Sequence, residues 1–286
     1  MINMEQKFIK SPMNYIGGKY KILPQLTQLF PNHINKFIDL FAGGLNVAIN
    51  VSAEEKYCND INSFVIDIYK AFQQMPINSL LNYIDKTIVE NNLSMQNQAA
   101  YLAFREKYNK NKQPLDLYIL LCYSFNYQLR FNSKHDFNNS FGKNRSSFNP
   151  TMRENLKKFH QQIKHINFQT LDFYDYNIEN LGKKDFLYAD PPYLITCGSY
   201  NDGKRGFKGW NEKDDIALFK LLDYVNERGI KFALSNVSEH KGLKNKALIS
   251  WMEKYNVYDV NHNYNNSNYQ AKNREHMTRE ILITNY

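Results

Sequence analysis

Asp190-Pro191-Pro192-Tyr193 joins a carboxylate, two rigid backbone units and a flat aromatic face in four consecutive residues. The set follows the apolar run Phe186–Ala189, which reads as a buried strand, and the prolines forbid further ladder hydrogen bonds. A carboxylate therefore stands at the carboxyl end of a strand, where open α/β sheets bind their ligands. This chemistry suits a planar exocyclic amine. Asp190 and the Pro191 carbonyl can each accept one N–H, while the Tyr193 ring stacks on the base that carries the amine. The simpler reading of the same residues is a strand end with a rigid turn and a surface tyrosine.

Other elements bring candidate ligand groups to strand ends. Phe37 to Phe41, with Asp39 inside it, reads as a strand that breaks at Gly43-Gly44, with a helix expected from Val47. Glycine lets the backbone approach a ligand closely, and a helix N-terminus favours a polar or anionic group. Sixteen residues after Gly44, Asp60 ends a second strand, where an acid can take both ribose hydroxyls of a nucleoside. Capping the next helix is the alternative role for that acid. No G-x-G-x-x-G is present, so a pyrophosphate-bearing cofactor and a dehydrogenase are not expected. Gly18-Lys19 is not a phosphate loop either, because Met13 and Tyr20 stand where that motif needs Gly and Ser/Thr.

The 286 residues carry a net charge of +8, and its position is informative. Residues 105–164 hold twelve Lys/Arg against four Asp/Glu, so the remainder of the chain is neutral. A basic segment interleaved with Tyr and Phe points to a polyanion such as nucleic acid, the alternative being a solvated basic face. Cys58, Cys122 and Cys197 are isolated and form neither a disulfide framework nor a zinc spacing. No H-x-E with a following P-C-x-x-C is present, which argues against a zinc deaminase. No signal peptide is read in Met1–Lys10, and the run Leu117–Tyr123 is too short to span a membrane, so a cytoplasmic protein is expected.

Between Ser63 and Tyr127 the apolar spacing is helical, with a polar break over Asn109–Pro114. Residues 130–149 read as a β-hairpin rich in Arg, Lys, Asn and aromatic side chains, which can read base edges or wedge into a base stack. A helix over Asn155–Ile163 and strands at Asn167–Asp172 and Phe186–Asp190 follow, then a polar loop from Leu194 to Trp210 that contains Tyr200, Asn201, Lys204 and Arg205. A helix over Glu212–Arg228, a strand over Ile230–Leu234, a helix over Leu243–Tyr255 and strands at Asn256–Val260 and Thr278–Thr284 complete the pattern.

Taken together, Tyr15-Ile-Gly-Gly-Lys19, Asp39-Leu-Phe-Ala-Gly-Gly44, Asn59-Asp60, Arg130-Phe-Asn132, Phe141-Gly-Lys143, Asp190-Pro-Pro-Tyr193 and Arg228 to Val237 resemble, in family order, the Dam-type DNA adenine-N6 methyltransferases, and the phage-encoded members in particular. The resemblance implies a Rossmann-like α/β sheet that uses S-adenosylmethionine, interrupted by a helical DNA-recognition domain that carries a β-hairpin. The implied boundaries are 1–66 plus 151–286 for the catalytic domain and 67–150 for target recognition. It also implies catalytic roles for Asp190, Pro191, Pro192 and Tyr193. Donor contacts are implied for Tyr15, Lys19, Asp39, Phe41, Gly43, Gly44, Asp60, Asp172, Phe173 and Asp190. Contacts to double-stranded DNA are implied for Lys19, Asn126, Tyr127, Gln128, Arg130, Asn132, Lys134, Lys143 and Arg145.

The implied reaction is methylation of a flipped-out adenine, with GATC as the implied target and no metal required. Asn126-Tyr127-Gln128-Leu129 departs from the family pattern, as does Asp172, where a histidine is expected. Related Pro-Pro-Tyr sites act on RNA adenine or protein glutamine, and a DNA binder with a dead site is a further alternative. The basic insertion argues for duplex DNA over the first two, and intact Asp60, Asp190 and Tyr193 argue against the third.

Overall fold

Alternating apolar residues along short strands give a sheet covered on both faces. The computed structural model describes residues 8–196, 209–260 and 278–286; Cys197, Tyr200, Asn201, Lys204, Arg205 and the tail 273–277 lie outside them. The strands are β1 (Lys36–Asp39), β2 (Glu55–Asn59), β3 (Ile166–Gln169), β4 (Phe186–Ala189), β5 (Lys231–His240), β6 (Leu243–Lys244), β7 (Asn256–Asp259) and β8 (Thr278–Thr284). Their order is β3-β2-β1-β4-β5-β8-β7, with β6 paired to β5. The first five are parallel, while β8 runs antiparallel to β5 and β7. Chain order reverses between β1 and β4, the switch point at which an open α/β sheet has its ligand crevice.

Neighbouring residues on one strand feed opposite cores. Phe37, Tyr188, Ala233 and Leu282 pack with α1 (Leu23–Leu29), α2 (Ser63–Gln74), α5 (Pro114–Tyr123) and α6 (Pro150–Ile163). Ile38, Leu187, Leu234 and Ile283 pack against α7 (Glu212–Glu227) and α8 (Lys246–Met252) on the other face. The first core does not stop at the expected boundary of residue 67. It continues through α3 (Ile77–Glu90), α4 (Gln98–Asn111) and the aromatics Phe131 and Phe137. Phe72 joins the two parts, meeting Tyr118 at 4.9 Å and Phe159 at 6.4 Å.

Pro114 starts α5 at its first turn, where the missing N–H costs nothing, and Gly229 leaves α7 at φ +71°. Other expectations change. The helix from Val47 is only a series of turns, with Val47, Ile49 and Val51 buried in the core. The hairpin over 130–149 is reduced to two isolated antiparallel bridges, Phe131↔Phe137 and Ser124↔Phe141. Its aromatic residues turn into the helical core instead of pairing along a ladder. The helix expected from Leu243 begins at Lys246, capped by the Asn245 side chain, after the short strand β6. β5 runs past Leu234 to His240, because β8 pairs with it along that length.

Candidate active site

β1 and β4 lie side by side, with Asp39 opposite Tyr188, so Asp39 and Asp190 stand at one edge of the sheet. Lys19 reaches this edge from a 3-10 turn, Lys19–Ile22. Its ammonium lies 2.8 Å from Asp190 Oδ2 and 2.9 Å from the Gly17 carbonyl, and 5.0 Å from the centre of the Tyr193 ring. The Tyr193 hydroxyl donates to Asp190 Oδ1 at 2.8 Å. Burial pushes the Asp190 carboxyl above the usual carboxylate range, and Lys19 and Tyr193 oppose that rise. Pro191 is buried and Pro192 exposed.

The glycine turn is shaped by neighbours on three sides. Gly43 lies in the left-handed region at φ +44°. Tyr15 covers the turn so closely that a Cβ on Gly44 would stand 2.9 Å from Tyr15 Cβ. Asp60 accepts from the Gly43 N–H and the Asn62 N–H, both at 2.8 Å, so it holds the turn and also fixes Asn62, the residue that precedes α2. Each carboxylate oxygen has a second lone-pair site, so ribose hydroxyls can still be accepted. Tyr69, which the sequence did not single out, fixes the turn from below by donating to the Gly43 carbonyl at 2.7 Å.

Asp39 has an oxygen, Oδ1, buried without a hydrogen-bond partner among the described residues. Burial holds its carboxyl well above the usual range, and Asp190 and Asp60 raise it further. With Asp190 2.8 Å and Glu280 3.6 Å from Lys19, and Asp39 feeling its charge, three carboxyls share one ammonium. A buried carboxylate oxygen without a partner among the described residues, in a region of excess negative charge, fits a ligand that brings positive charge and N–H donors. The adjacent aromatic wall is Phe41, Phe173 and Trp210, with centroids 5.3–5.6 Å apart. Phe173 was expected there. Trp210 was not, and its indole N–H donates to Asp215 at 2.7 Å. Asp172 caps the 3-10 turn Phe173–Asp175 through the Tyr174 N–H.

Except for the buried Lys19, the residues for which DNA contacts are implied lie on the surface of the helical part. Asn126 and Tyr127 are both left-handed at φ +55°, a turn that Asn139 clamps by donating to the carbonyls of Phe125 and Gln128. The Arg145 guanidinium lies 5.1 Å from the centre of the Phe125 ring, and the Tyr127 hydroxyl donates to the Arg145 carbonyl. Arg130, Lys134, Lys143 and Arg145 are exposed. Asn132 is spent on its own turn, accepting from the N–H groups of Lys134 and Asp136 at 2.9 Å. Part of the basic excess is structural as well: Arg105 binds the Asn139 carbonyl, Lys112 binds Asp136, and Arg153 pairs with Asp85.

Comparison with known proteins agrees with this geometry. A D12 class N6 adenine-specific DNA methyltransferase family model matches residues 15–266. Modification methylase StsI of Streptococcus sanguinis is 48% identical over 289 residues, covering 100% of this chain and 44% of its own. Type II methyltransferase M.FokI of Planomicrobium okeanokoites is 46% identical over 281 residues, covering 98% of this chain and 43% of its own. The DNA N-6-adenine-methyltransferase of Escherichia phage P1 is 29% identical over 239 residues, 80% of this chain and 30% of its own. Identity is thus higher with these modification methylases than with this phage enzyme, and the chain spans less than half the length of all three. Strand order, strand-end acids and the family match agree: the chain belongs to the D12 class N6 adenine-specific DNA methyltransferases.

Proposed function

We propose that this protein methylates N6 of adenine in duplex DNA, with S-adenosylmethionine as methyl donor, as its modification-methylase relatives' names and its family imply. The observation that carries the reading is the Lys19–Asp190–Tyr193 cluster at the switch point, beside an aromatic wall and an acid-rich cradle. When bound, the donor supplies an electrophilic methyl on a sulfonium. Asp39 and Asp60 would meet its amino and ribose groups, and Phe41, Phe173 and Trp210 its adenine.

A stacked adenine cannot present N6 to this cradle, so the base is flipped out of the duplex. Asp190 and the Pro191 carbonyl would accept the two N6 hydrogens. This draws the nitrogen toward a tetrahedral form and aims its lone pair at the methyl. Positioning and electrostatics supply most of the rate. After transfer, the proton released from N6 can pass to Asp190, whose carboxyl burial holds above its usual range. The exposed residues Asn126, Arg130, Lys143 and Arg145 would engage the flanking DNA.

Modification mapping of plasmid DNA from a methylation-deficient host expressing the protein tests this. N6-methyladenine confined to GATC would establish the target that the Dam-type resemblance implies. N6-methyladenine in another motif keeps the reaction and assigns specificity to Asn126–Arg130. Absence of methylated adenine with folded protein would overturn the reading. Asp190→Ala should abolish methylation and leave DNA binding largely intact.

A further inference from the structure

We propose that Glu280 is a positioning residue that draws Lys19 and Tyr193 off Asp190 when the target amine enters; this rests on Asp190 being the N6 acceptor. Both oxygens of Asp190 already hold a donor, Lys19 on Oδ2 and the Tyr193 hydroxyl on Oδ1, each at 2.8 Å. Those two donors compete with the N6 hydrogens for the same oxygens. Both also lie near a second carboxylate. Glu280 Oε1 is 3.3 Å from the Tyr193 hydroxyl and 3.6 Å from Lys19 Nζ.

The exchange takes place where stranded charge is costly. The side chains of Lys19, Glu280 and Asp190 are 5%, 10% and 18% exposed. An ammonium or phenol that left Asp190 without another acceptor would lose a charged hydrogen bond in a buried place. Glu280 provides that acceptor after a shift of less than an ångström. Lys19 keeps the Gly17 carbonyl as a pivot throughout. β8 aims Glu280 at the site: it lies two residues from Leu282, which packs in the same core as Tyr188, so both point to the face that carries Asp190.

The test is single-turnover methylation by Glu280→Gln, which removes the charge and keeps the shape. The expected rate loss is about ten- to a hundredfold, with donor and DNA affinities held within about twofold. Combined with Tyr193→Phe, the loss should be less than the product of the two single losses, because no hydroxyl remains to be handed over. Glu280→Asp, which keeps the charge, should recover part of the rate, and it serves as the second variant if the glutamine protein does not fold. A wild-type rate in Glu280→Gln, or fully independent effects of the two substitutions, overturns the proposal. If the unaltered protein makes no N6-methyladenine, or Asp190→Ala still makes it, the assignment of Asp190 fails first and Glu280 falls with it.

Discussion

The Asn14 side-chain amide donates to the backbone carbonyl of Asn126 at 2.8 Å, across 112 residues of sequence. Asn14 is followed by Tyr15, which lies on the Gly43–Gly44 turn, so the Asn126 turn and the glycine turn share one support. Asn14→Ala should therefore reduce discrimination between target and non-target DNA by roughly two- to tenfold, the worth of one ordinary hydrogen bond. Competition binding with donor present measures it. Unchanged discrimination would show that the two turns act independently.

Gly142 is required by packing. A Cβ there would collide with the Ser146 side chain and stand 2.8 Å from the Ser124 carbonyl. Gly142→Ala should cost about 1–3 kcal/mol of stability. Adding Ser146→Gly should return part of it, since the Ser146 hydroxyl makes no hydrogen bond among the described residues. Denaturant unfolding of the single and double variants decides the matter.

Asp39 sets stability against binding. Its folded carboxyl is raised above the unfolded value, so the folded state binds its proton more tightly. Stability from this group is present below the unfolded carboxylate range and declines as pH rises toward the folded value. Asp39→Asn should raise the melting temperature at neutral pH by on the order of 2 °C and flatten its pH dependence. The same change should weaken donor binding by about tenfold or more, read by calorimetry.

Trp210 provides an optical report. The chain has two tryptophans, and Trp251 packs on the same core away from the Phe41–Phe173–Trp210 contact, stacked on Phe219 at 4.6 Å. Donor binding beside Phe41 and Phe173 should change Trp210 emission. Trp251→Phe should keep the change, and Trp210→Phe should remove it. A signal that survives the second substitution would place the donor's adenine elsewhere.

Arg130 is exposed beside the 125–127 turn, a position suited to a two-pronged contact with guanine. Arg130→Ala should cost about 1–3 kcal/mol of binding to the target and relax one base position. Lys143→Ala should instead weaken all sequences alike and lower the salt slope by about one. Binding isotherms on matched and mismatched duplexes at several salt concentrations separate the two effects.

What could be read from the sequence was local. Asp190 follows an apolar run and precedes two prolines, so its place at a strand end needs no long-range information. The same holds for Asp39, Gly43-Gly44 and Asp60, whose carboxylate also holds the glycine turn and the Asn62 N–H, a contact the sequence did not indicate. Residues that act across the fold left no local sign. Glu280 lies 87 residues beyond Tyr193, on a strand whose partner cannot be inferred from its own alternation. Tyr69 carries no local sign of a role, yet its hydroxyl supports the turn. The hairpin was misjudged because Phe131 and Phe137 are drawn into the helical core, a tertiary effect that overrides strand propensity.

The ring contacts of Phe72 with Tyr118 and Phe159 have a bearing on how targets can change among relatives. Because Phe72 and Tyr118, inside residues 67–150, share one core with Phe159 outside them, that segment cannot be exchanged between relatives as a cassette without opening the interior on both sides of the cut. Side chains on the exposed turn around Asn126 and Arg130, by contrast, can change without touching that seam. A library confined to those surface positions should retain folded members at high frequency, whereas grafts of the whole segment should mostly precipitate.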